Sequence, residues 1–238
     1  MSALTIPQRP ARKFLGEEFS LTTWEELQPF YENLKNRSIH SVGDLRQWFL
    51  DKSELESYLS ENFAWRYIRM TCDTASEQYQ QEFNDFVENF QPYLSAYGNE
   101  LDKKAVESPY LSELKETGFE VALRSMKKAI EIFREENIPL QTQIQTEQAK
   151  YGAMIGAMTV NVGGEEITLP KASDFLQSTD RSLREQVWMK IQTTRLEDKV
   201  ALDELLNSLR DLRNQTALNA GFANFRDYMF AALGRFDY

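Results

Sequence analysis

Tyr151–Leu169 reads YGAMIGAMTVNVGGEEITL, and it is where a helix-forming chain turns into strand. Met158, Val160 and Val162 alternate with Thr159 and Asn161, and Ile167 and Leu169 alternate with Glu166 and Thr168. Between the two runs stands Gly163-Gly164. A two-residue hairpin turn needs positive φ at both central positions, which glycine adopts without a steric cost. A turn of that length sets Met158 opposite Leu169, Val160 opposite Ile167 and Asn161 opposite Glu166, with one apolar and one polar face. A lone hairpin is marginal in water, so the apolar face must lie on something. Two roles stay open at this point: a scaffold hairpin packed on helices, or a ribbon reaching into a cleft.

Working outward, the rest of the chain reads as helix. Its 238 residues suffice for a large core, and its 15 Phe and 10 Tyr argue against disorder. With only 10 Gly and 7 Pro, a loop-rich or all-β fold is disfavoured. Met1 to Phe19, with Pro7 and Pro10, reads as an extended strap. Thr22 or Thr23 caps a helix whose buried face is Trp24, Leu27, Phe30, Tyr31 and Leu34. Ser41 caps a short helix, and Ser53-Glu-Leu-Glu56 is a capping box that opens another, with Leu55, Leu59, Phe63, Tyr67 and Met70 inward. Thr74-Ala-Ser-Glu77 is a second box, starting a helix that Pro92 kinks. Breaks fall at Ser108-Pro109 and at Gly118. Helices follow over Phe119–Glu136 and Leu140–Met158, with a joint at Asn137–Pro139. Gly152 and Gly156 in the second of these permit close backbone packing.

Past the hairpin, Pro170–Leu176 is a short helix. Asp180 caps a long one running to Asn219, roughly 60 Å at 1.5 Å per residue. Asp198 interrupts its apolar stripe, which points to an exposed stretch or a break. Gly221 terminates it and Asn224 caps a last helix. Apolar residues continue to the final position, so the chain reads as cut in mid-structure. The expected fold is mostly α: a multi-helix array with long amphipathic helices and one β-hairpin near residues 158–169, all within a single helical region, residues 1–238.

Net charge is −10. That disfavours nucleic acid and anionic membranes as partners, because both call for cationic surface. The longest uncharged run, Tyr151 to Gly164, is too short to span a bilayer. No secretory signal is recognisable, and the single cysteine, Cys72, allows no internal disulfide, so a cytoplasmic protein is expected.

The chemistry is defined mainly by what is missing. His40 is the one histidine. An HExxH zinc helix needs two, one turn apart, and a di-iron bundle also needs two. No phosphate-binding glycine loop and no GxSxG elbow occurs. Cys72, in an apolar helix, reads as a buried structural thiol rather than half of a Cys–His pair, and His40 as a solvated loop residue. Glu135-Glu136 and Glu165-Glu166 are carboxylate pairs of the kind that 37 acids produce by chance. Arg181 and Arg184 read as structural ion-pair residues. No residue is assigned to catalysis or to a metal.

Several blocks together resemble one family. They are WRYIRMTCDT (Trp65 to Thr74), FREENIPLQTQIQTEQAKYGAMIGAMTV (Phe133 to Val160), the hairpin, DRSLRE (Asp180 to Glu185) and NAGFANFRDYMFAALGRFDY (Asn219 to Tyr238). In this order they resemble the N-terminal part of oligoendopeptidase F-type enzymes of the thimet-oligopeptidase-like zinc metallopeptidase family. The similarity runs from Arg12-Lys-Phe14 to Tyr238 and is weakest over Leu101–Leu123. It implies a helical fold with two halves facing a narrow channel that admits short peptides. Zinc and its HExxH helix are implied in the C-terminal half, so zinc is expected of the full-length enzyme and not of this chain. The implied role here is one wall of the channel, inactive alone, with the C-terminal catalytic half as missing partner. The alternative is a stand-alone helical module, from a truncated gene, that binds a partner or itself.

Overall fold

The computed structural model describes residues 11–115 and 118–236. Pro7 and Pro10 of the strap, and the terminal Asp237 and Tyr238, lie outside them. The chain is mostly helical with one two-stranded antiparallel hairpin among the described residues, and it divides into two compact units. One comprises Met1–Ala64 and Tyr93–Glu131, the other Trp65–Pro92 and Ile132–Tyr238.

In the first unit, α1 (Trp24–Asn36) starts where the Glu26 carboxylate accepts the N–H groups of Thr22 and Thr23 and the Thr22 hydroxyl. Those bonds hold the Glu26 carboxyl below its ordinary value. Trp24, Leu27, Tyr31 and Leu34 are buried as the spacing requires. The Trp24 ring stacks on Tyr93 at 4.7 Å.

The next helix is not short. α2 runs unbroken over Val42–Cys72, opened by Ser41, whose hydroxyl accepts the Asp44 N–H. Ser53 does not start a new helix. Glu56 is drawn instead to Lys52, one turn earlier, at 2.6 Å, and the buried stripe Leu45, Trp48, Leu55, Tyr58, Leu59 passes straight through. α4 (Gln91–Glu107) takes Pro92 into its first turn, where the missing N–H costs nothing, so a new helix begins instead of a kink. The break after α4 holds at Ser108-Pro109. Gly118, with φ at 85°, precedes α5 (Phe119–Ile132), which stops short of the expected Glu136. Val121 of α5 is exposed.

The second unit holds the hairpin. α3 (Glu77–Asn89) is capped by Ser76, not Thr74: the Ser76 hydroxyl accepts the Tyr79 N–H. α6 (Asn137–Ala157) absorbs Pro139 in its first turn, which moves the joint to 133–136. Strands β1 (Thr159–Val162) and β2 (Glu165–Thr168) pair Val160 with Ile167 and Asn161 with Glu166, as the turn dictates. Gly163 and Gly164 have φ of 65° and 91°. The apolar face lies in a core of Met158, Val160, Val162, Ile167 and Leu169 with Ala172 of α7 (Leu169–Ser173) and with Val187 and Ile191 of α8 (Arg181–Glu197). Of the two open roles, the scaffold hairpin is the one found.

The expected long helix breaks at Asp198, and α9 (Lys199–Asn219) begins one residue later. It ends in a Schellman motif: Phe222 N–H bonds the Ala217 carbonyl, Gly221 N–H bonds that of Leu218, and Gly221 has φ of 85°. Asn224 then caps α10 (Phe225–Ala232), accepting the Asp227 N–H.

Candidate functional site

A cavity of about 370 Å³ opens in the first unit between the strap and the middle of α2. Its charged lining is Arg12 and Lys13 from the strap with Asp51, Glu54 and Glu61 from α2. These groups are largely spent on holding structure. Both oxygens of Glu54 accept successive backbone N–H groups, from Lys13 at 2.8 Å, Phe14 at 2.9 Å and Leu15 at 2.7 Å. The Arg12 guanidinium lies 4.4 Å over the Tyr58 ring and donates to the Phe19 carbonyl. Asp51 accepts from Arg37 and Gln47. The Glu54 carboxylate, bonded to three N–H groups, fixes the strap to α2, and Asp51, tied to the Arg37 guanidinium, fixes α2 to the end of α1.

Buried charge elsewhere in this unit has the same character. Lys52 is 6% exposed and reaches Glu56 and Asp102. Burial works against its ammonium, but the two carboxylates outweigh it and raise its pKa. Burial, reinforced by Glu56, pushes the Tyr31 phenol up as well. Lys104 donates to the carbonyls of Leu34, Lys35 and Arg37 at the end of α1, with its pKa lowered by burial and by Arg37. Neither Lys52 nor Glu54 stood out in the sequence. Ser53-Glu-Leu-Glu56 carries a capping-box signal, and only the fold shows what its acids hold.

The residues weighed for chemistry are scattered. His40 is exposed, and its N–H bonds Asp44. Cys72 ends α2 and is exposed, not buried: Met70 lies on the buried stripe, and two residues on the helix has turned outward. Glu135 and Glu136 are exposed. Glu165 pairs with Lys171, and Glu166 accepts the Thr159 hydroxyl. Arg184 donates to the Ser178 carbonyl, and Arg181 is exposed. Among the described residues no group of three or more His, Cys, Asp or Glu side chains is placed to hold a metal ion. A zinc centre therefore does not fit these residues, and no chemical step is routed through one.

Residues 14–133, half of the chain, match the family model of the peptidase M3 N-terminal domain. The chain belongs to the M3 peptidase family. The fold of this M3 chain is similar to that of a protein described as oligoendopeptidase F from Bacillus anthracis, with a TM-score of 0.86 at 23% identity over 93% of the chain. It is also similar to PZ peptidase A, TM-score 0.85 at 24% identity over 95%, and to a second protein described as oligoendopeptidase F, TM-score 0.86 at 25% identity over 96%. The M3 chain spans 41%, 40% and 40% of those three chains. Comparison with curated proteins finds no match. Among the described residues no helix is long and apolar enough to cross a membrane.

Proposed function

We propose that this chain is the channel-wall portion of a cytoplasmic M3 oligoendopeptidase, a zinc enzyme that hydrolyses internal bonds of short peptides. Residues 1–238 form one helical N-terminal portion, the catalytic C-terminal half is missing from it, and this chain alone is inactive. One observation carries the reading: an M3 N-terminal domain that spans two fifths of its structural relatives holds one histidine and, among its described residues, no metal-holding group. The histidines of a zinc-binding helix and the glutamate that activates its water must then come from elsewhere. The residues found here serve rigidity: a strap latched by Glu54, a buried Lys52 pair, a hairpin closed over α8.

Metal analysis tests this. Purified chain incubated with zinc and then dialysed is expected to retain far less than one zinc per chain. Stoichiometric retention would overturn the reading. The rival, a self-associating helical module, draws support from large apolar side chains on the outer faces of the second unit's helices.

A further inference from the structure

α8 buries Val187 and Ile191 beneath it and turns a second face outward. That face carries Glu185, Trp188, Met189, Gln192, Arg195 and Leu196, at steps of three and four residues. Trp188, Met189 and Leu196 are exposed by 51%, 53% and 65%. Such spacing is the seam that a second helix reads when two pack side by side at a shallow angle. Among the described residues neither Glu185 nor Arg195 has an ion-pair partner. They stand ten residues apart, Glu185 one turn before Trp188 and Arg195 next to Leu196.

We infer that α8 is the contact surface for a second copy of this chain, the two helices packed antiparallel across a two-fold axis beside position 190. In that register Glu185 of each copy meets Arg195 of the other, twice by symmetry, and the two Trp188 side chains close over the partner's seam at Gln192. A parallel arrangement sets Glu185 against Glu185 and Arg195 against Arg195, which is repulsive. The antiparallel pair is also the one a two-fold axis generates, with one patch complementary to itself. Self-association through α8 stands independently of the peptidase reading.

Sedimentation velocity on the full chain, from about 1 to 100 µM where weak homodimers dissociate, tests it. A concentration-dependent dimer is expected. Trp188→Glu should weaken it at least about tenfold, equivalent to one desolvated anchor lost. Glu185→Arg and Arg195→Glu should each weaken it, and the double reversal should restore the wild-type constant. Circular dichroism verifies that each variant is folded, and the charge reversals carry the test if Trp188→Glu is not. A monomer at every concentration, a dimer indifferent to Trp188, or a double reversal weaker than both single ones would each overturn the proposal.

Discussion

The side-chain amide of Asn137 donates to the backbone carbonyl of Thr216 at 3.0 Å, joining the first residue of α6 to the last turns of α9. Asn219 in turn donates to the Asn137 carbonyl oxygen at 2.8 Å, and Asn137 is 2% exposed. A buried amide with both ends satisfied is costly to truncate, because its partners keep their polarity and lose their bonds. Asn137→Ala should cost about 1–3 kcal/mol in chemical unfolding. Asn219→Ala, at the less buried end, should cost less. Equal and negligible effects would show that the junction does not stabilise the unit.

The two glycines of α6 make an internal contrast. A Cβ on Gly156 would lie 2.6 Å from the Thr74 hydroxyl, whereas one on Gly152 meets nothing within 4 Å. Gly152→Ala should therefore stabilise the chain by about 0.4–1 kcal/mol, through helix propensity alone. Gly156→Ala should destabilise it by about 1–3 kcal/mol, through overpacking. Adding Thr74→Ala to Gly156→Ala should recover most of that loss. Thermal unfolding of the three variants suffices to check this.

Glu54 offers a test at the strap. Glutamine keeps the shape of its side chain but loses the charge, and one of its two terminal groups becomes a donor facing N–H groups. Glu54→Gln should lower stability by about 1–3 kcal/mol. It should also quicken limited proteolysis within residues 11–19 ahead of the rest of the chain. Uniform acceleration of cleavage everywhere would mean that Glu54 is not a local latch.

Alkaline pH reports on the Lys52 pair. Its folded pKa is raised above the ordinary 10.5. The stabilisation is therefore complete below the unfolded value and is lost as pH rises through the folded one. Tyr31, also raised, contributes with the same sign. Lys52→Met should be less stable than wild type at pH 8, since it leaves Asp102 largely buried without its cation. The gap should narrow once pH passes about 10.5. Urea unfolding across that range measures it, and a gap that stays constant would show that Lys52 acts through packing alone.

Local chemistry explains which parts of this fold could be read in advance. The hairpin was legible because two adjacent positive-φ positions leave glycine as the undemanding choice, and because a two-residue turn leaves one register. Asp180, Gly221 and Asn224 were legible for the same kind of reason, since a cap is a bond between neighbours. Ser53 misled because its capping pattern was outweighed: a continuous apolar stripe from Leu45 to Leu59 holds α2 together, and Glu56 binds Lys52 instead. Cys72 misled because its helix is apolar overall, while its own angular position, two residues past the buried Met70, faces solvent. The grip of Glu54 on Lys13–Leu15 spans some forty residues and leaves no periodic trace. The absence of a second histidine, by contrast, needed no fold to be seen.

Peptide hydrolysis tests the central claim most directly. The purified chain, incubated with an internally quenched peptide and added zinc, should release no fluorescence above a zinc-only control. Cleavage at an internal bond that a chelator abolishes and zinc restores, from chain free of contaminating peptidase, would contradict the account.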